Sequence, residues 1–143
     1  MRTRSGLLSL ATAAVVAGCG QQPPADASDE ADVFLPIHQP LNGGPAALVG
    51  GKLELRNGCL VFDDPFGGSL PLWPPGTTAW LVDGTVVLAD QAGVAAISVG
   101  GSALFGGGTD YPLQWAEQQV GDIPPQCEVG NYTLINSLEH QEQ

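Results

Sequence analysis

Leu53-Glu54-Leu55-Arg56-Asn57-Gly58-Cys59-Leu60-Val61-Phe62 is the stretch that decides how this chain folds. In its first half leucines alternate with charged residues, the two-residue period of a half-buried strand. In its second half four apolar residues run together. The Asn-Gly between them is a strong short-range hairpin signal, because both central residues of a tight β-turn take positive φ. The same pattern returns at Ala79-Trp80-Leu81-Val82, Asp83-Gly84 and Thr85-Val86-Val87-Leu88. Two hairpins of this kind set the class as all-β.

Working outward, Leu70 to Trp73 reads as a short strand ending at Pro74-Pro75-Gly76. Asp90-Gln91-Ala92-Gly93 turns the chain into Val94–Val99. Ala103-Leu104-Phe105 is a further strand, expected to stop at Gly106-Gly107-Gly108. Trp115 to Val120 allows one or two helical turns, and Tyr132 to Ile135 is a closing strand. Val33-Phe34-Leu35-Pro36-Ile37 is an apolar arm or edge strand, with Pro36 barring a central position. About six to eight short strands joined by Gly, Pro and Asx turns predict a small barrel, OB-like or SH3-like, or a compact sandwich. Strands this short do not enclose a large ligand cavity.

The amino-terminal segment has a different composition. Met1-Arg2-Thr3-Arg4 is positive, and Leu7 to Ala17 is apolar but shorter than the ~20 residues a bilayer-spanning helix needs. Small residues precede Cys19, the layout of a secretory signal peptide. Val16-Ala17-Gly18-Cys19 resembles a bacterial lipobox. That resemblance implies cleavage before Cys19, diacylglyceryl attachment to its thiol and acylation of the new amino group. It makes the membrane a partner through acyl chains on Cys19. In such lipoproteins Asp after the Cys favours inner-membrane retention. Gly20 here implies the outer membrane, facing the periplasm, where the cell has two membranes. The expected organisation is a lipoprotein signal peptide at 1–18, a disordered Pro/Ala/acid tether at 19–32, a small β domain at 33–136 and a polar tail at 137–143.

All fifteen acidic residues follow Cys19, whereas only Lys52 and Arg56 remain as cations after cleavage. Two against fifteen leaves −13 on the mature side chains. Such a surface repels phosphate backbones, so nucleic acid is excluded as a partner. Cys59 and Cys127 form an even pair in an exported chain, which favours a disulfide. Closing so long a loop stabilises by ~4 kcal/mol in the chain-entropy model. A metal pair would need further ligands, and the histidines, His38 and His140, lie near the ends.

Tests for chemistry yield no catalytic residue, metal set or cofactor loop. Gly101 to Gly107 has the gap of a phosphate loop but lacks its Lys. Asp63-Asp64 does not continue with the alternating ligands of a calcium loop. Ser69, Ser98, Ser102 and Ser137 lie outside any Gly-x-Ser-x-Gly, and a triad would need a held imidazole. The most distinctive local feature is Trp73 on the Pro74-Pro75 corner. Its aromatic ring could stack on a sugar or peptide, or instead plug one end of the core, as Trp is highly buried on average.

Gly58-Cys59-Leu60, Leu72-Trp73-Pro74-Pro75-Gly76, Val99-Gly100-Gly101, Gly106-Gly107-Gly108 and a late Cys127 before Tyr132 resemble a loose set of small bacterial envelope domains of unknown function. The resemblance covers residues 48 to 135 and implies a compact β-barrel and a disulfide. The expected function is that of a non-enzymatic binding or structural module, with an envelope protein or glycan as partner. The alternative is an envelope hydrolase built around His38 in a deep polar pocket.

Overall fold

The structure is a computed structural model that describes residues 21–64 and 67–140. It is mostly β: nine strands in two sheets with one short helix. The strands are β1 (Ala27–Glu30), β2 (Ala47–Arg56), β3 (Cys59–Asp63), β4 (Leu70–Leu72), β5 (Thr78–Val82), β6 (Thr85–Ala89), β7 (Ala95–Ser98), β8 (Ser102–Tyr111) and β9 (Tyr132–His140). Helix α1 spans Leu113–Val120, and a 3₁₀ turn follows at Pro125–Cys127.

Four strands form one antiparallel sheet in the order β1-β5-β6-β7. The other five, in the order β3-β2-β8-β9-β4, make a curled half-barrel. Its two edges meet through paired Phe62 and Ser69 main-chain bonds of 2.9 and 3.0 Å. Both expected hairpins are present. Arg56 pairs with Cys59 and Val82 with Thr85. The turn residues Asn57, Gly58, Asp83 and Gly84 all have positive φ, as a two-residue loop of this type requires.

Within the half-barrel β3 is buried on both faces, and its sequence explains how. Leu60 and Phe62 point to one core with Leu53, Trp73, Leu88, Phe105 and Ile135, shared with the four-stranded sheet. Cys59 and Val61 point to a second core with Leu70, Leu72, Tyr132 and Leu134 beneath Ala116 of α1. A strand covered on both sides carries an unbroken apolar run; in the alternating β2, Leu53 is buried but Leu55, next to the hairpin turn, is 44% exposed. The arm follows the same split: Val33, Leu35 and Ile37 pack on the first core and Phe34 on the second. It bridges Cys59 and Trp73, with Trp73 N–H donating to Pro36 O at 2.8 Å.

The Cys59–Cys127 disulfide ties β3 to the 3₁₀ turn, with Cα atoms 5.4 Å apart. It lies in the second core, where burial also raises the Tyr132 phenol above its ordinary pKa against the opposing main chain of Val129 and Gly130.

Three boundaries differ from expectation. The stretch expected to be tether supplies β1, which pairs with β5 from Ala27–Val82 to Glu30–Trp80. Its polar side chains are those of an exposed edge strand whose stability comes from main-chain pairing, so no apolar pattern marks it. The polar tail expected from Ser137 is instead the second half of β9, paired to β8 as far as His140. Finally, β8 runs through Gly106-Gly107-Gly108 rather than ending there. At Gly107 an added methyl would overlap the Leu134 carbonyl oxygen and sit 2.8 Å from Val49 Cγ2. Glycine within a strand thus marks close backbone approach, not a stop.

Gly107→Ala is expected to destabilise the fold by about 1–3 kcal/mol through overpacking between β2 and β9. Gly106→Ala, where an added methyl meets nothing within 4 Å, is the matched control. Urea unfolding of both variants checks the difference, and equal midpoints would contradict the close approach.

Candidate functional site

Trp73 does not present its ring to a ligand. It is fully buried, edge-on to Phe62 at 5.9 Å and to Phe105 at 6.1 Å. The chain needs a large apolar plug where the half-barrel meets the arm, and Trp73 supplies it. Pro75 is exposed and Pro74 is buried beneath it, and both border the open cleft described below.

His38 is also buried, at 3% exposure. Its Nε2 faces Ile135 O at 2.7 Å and its Nδ1 faces Gln39 O at 2.8 Å. With a main-chain carbonyl oxygen facing each nitrogen, neither ring nitrogen is turned into the neighbouring cleft. The ring joins the arm to β9 instead of offering a base. The cleft beside His38 is open to solvent rather than deep. Ser69 Oγ, one of the serines considered, accepts from Thr133 Oγ1 at 2.9 Å inside the fold. Ser137 lies exposed on β9. No group of three or more potential metal ligands occurs among the described residues.

Three clefts join end to end along the second half of β9. One of about 320 Å³ is bounded by His38, Pro40, Leu41, Pro75 and Asn136. The next, about 280 Å³, shares Pro75 and Asn136 and continues past Gly76, Gln91 and Leu138. The third, about 390 Å³, shares Asp90 and Leu138 and ends at Val94, Ala95 and Glu139. The groove exists because β4 pairs with β9 only from Tyr132 to Leu134. Beyond that, the chain turns away at Pro74-Pro75, and a Pro cannot donate to a ladder. Asp90 holds one wall by accepting from Ala92 N–H and Val94 N–H, each at 2.9 Å. Asn136 anchors the floor by donating through Nδ2 to Pro45 O.

The charges along this groove, Asp90 and Glu139, are both acidic. Arg56 lies elsewhere, on the β2–β3 hairpin. It is bonded to Glu54 at 2.8 Å and Asp63 at 3.0 Å, and the Glu54 hydrogen bond and charge raise the guanidinium further above its ordinary value. A separate cleft of about 410 Å³ lies beside Asp110, Tyr111 and Asn131, where Tyr111 and Trp115 stack at 3.9 Å.

Sequence reasoning missed the groove because Asn136–Glu139 reads as polar tail. The one available signal was the Pro-Pro pair, which ends a strand pairing and so uncovers the neighbouring edge. Cys19 and the expected signal peptide at 1–18 lie outside the described residues. In comparisons with known proteins, the chain matches no protein family, no curated protein and no solved structure.

Proposed function

We propose that this chain is a lipid-anchored envelope protein whose β domain is a non-enzymatic binding module for an extended segment of another envelope protein. The observation that carries the binding reading is the groove along Asn136–Glu139. There the β4 side of β9 has no strand partner among the described residues. An extended peptide can add to such an edge by main-chain hydrogen bonds, with side chains seated in flanking clefts. The acidic rim of Asp90 and Glu139, on a chain of strong net negative charge, favours a segment bearing Lys or Arg. A glycan partner is less well supported, because the stacking ring it would need at Trp73 is inside the core.

The lipobox at Val16–Cys19 supports the anchor, and Gly20 supports outer-membrane sorting where two membranes exist. A disulfide between Cys59 and Cys127 suits an oxidising compartment.

A photo-crosslinking residue at the exposed Ser137, in cells expressing the full chain, tests the groove. The expected result is a discrete protein adduct that is lost when Asp90 and Glu139 are both neutralised to Asn and Gln. Adducts of equal yield from Ser137 and from Gln126, which lies on the 3₁₀ turn, would overturn the assignment.

A further inference from the structure

The chain joins the lipobox cysteine to the domain by a much shorter path than its composition suggests. Gln22 N–H donates to Gln91 O at 3.1 Å. A methyl added at Gly93 would lie 2.7 Å from Pro23 O and 2.8 Å from Gln22 O. The main chain at Gln22-Pro23 is therefore packed on the turn between β6 and β7, and it needs a glycine there to approach so closely. Ala27 N–H closes a turn onto Pro24 O at 3.1 Å, and β1 begins at that residue. From Gln22 onward the chain belongs to the domain. Gly20 and Gln21 alone separate Gln22 from Cys19, a span of at most about 11 Å when fully extended.

We infer that the Asp90–Ala95 turn is a bilayer-contact surface, held against the lipid headgroups by the short link to acylated Cys19. The inference rests on the lipid-anchor reading above. A second observation, independent of the link, points to the same place. Val94 is 62% exposed, more than Leu41, Leu48 or Leu55, the other exposed large hydrophobics among the described residues. Around it Gln91, Ala92 and Ala95 are exposed and uncharged. The acid of this turn, Asp90, is partly buried and holds main-chain N–H groups of the turn itself. The tip of the turn, with one projecting apolar side chain and the exposed Glu139 only on its groove side, can rest in the interfacial region of zwitterionic lipid. The strongly acidic remainder of the chain would not approach anionic headgroups. With the turn against the bilayer, the groove opens beside the membrane, within reach of membrane-proximal segments of a partner.

The experiment places a benzophenone amino acid at Ala92 or, as the distant control, at Gln126, in the full-length protein in its native membranes. Lipid adducts are then read by intact mass together with the acyl mass on Cys19. The expected result is several-fold more lipid adduct from position 92 than from position 126. Inserting a Gly/Ser linker of about 20 residues between Gln21 and Gln22 gives the domain a mean reach of about 25 Å and should cut the adduct at position 92 several-fold. An acylated protein whose two positions label lipid equally, or whose labelling ignores the linker, overturns the contact surface alone. A mature chain with no acyl mass overturns the anchor, and the contact surface falls with it.

Discussion

Trp73→Ala is expected to lower the folding free energy by about 4 kcal/mol, in the range found when a large aromatic is removed from a closed core. The ring is fully buried and lies edge-on between Phe62 and Phe105. Edge-to-face aromatic pairs add about 0.5–1.5 kcal/mol beyond burial, so truncation loses both the transfer term and two such contacts. The neighbours are held by main-chain bonds to the arm and by β3 and β8, so the cavity cannot collapse without disturbing several elements. Trp73→Phe should lose only about 1–2 kcal/mol, because the core stays apolar and a smaller void is left. It also forfeits no hydrogen bond, as Trp73 Nε1 has no partner among the described residues. Urea unfolding of the three proteins checks the order. If Trp73→Ala were nearly neutral and weakened partner binding instead, Trp73 would have to be reassigned from core to site. Domains of this kind hold only about 5–15 kcal/mol in total, so the Ala variant should be visibly less stable at ordinary temperature.

Replacing Cys59 and Cys127 together by Ala should also cost about 4 kcal/mol, but by a different route. The two residues are separated by 68 positions, so the bridge removes a large share of the unfolded chain's freedom. Both sit at 1% exposure or less. The native bridge is therefore shielded from reductant and should be reduced only after the domain opens. Because the effect acts mainly on the unfolded state, the denaturant slope m should rise in the double-Ala variant as the unfolded ensemble expands. A fall in midpoint with m unchanged would mean that the native packing of the second core, not the cross-link, carries the stability. Keeping the variant as Ala rather than Ser avoids placing a hydroxyl among Val61, Leu70 and Tyr132.

Much of the strand order along the chain could be read locally. Asn57-Gly58 and Asp83-Gly84 need positive φ whatever surrounds them, so the hairpins they close are visible in the residues. The unbroken Cys59–Phe62 run already marks a strand covered on both faces, whereas the alternation in β2 predicts the burial of Leu53 but not the exposure of Leu55. Other elements carry no such mark. β1 is a polar edge strand, and its place depends on the free side of β5, fifty residues away in sequence. The second half of β9 owes its pairing to β8, across a register irregularity between Phe105 and Gly107. The triple glycine reads locally as a break, yet it is the place where β8 passes closest to Leu134.

The sequence by itself therefore determined the all-β class, both tight hairpins, the strong negative charge and the resemblance of Val16–Cys19 to a lipobox. Each depends on backbone preferences, composition or a contiguous motif. Tertiary structure alone decided that Trp73 is a core plug, that His38 is tied to two carbonyls, and that a groove opens where β4 leaves β9. It alone decided, too, that Gln22 is already bound to the β6–β7 turn. These are consequences of which segments meet in space, and a side chain's exposure is set by neighbours that no local pattern names.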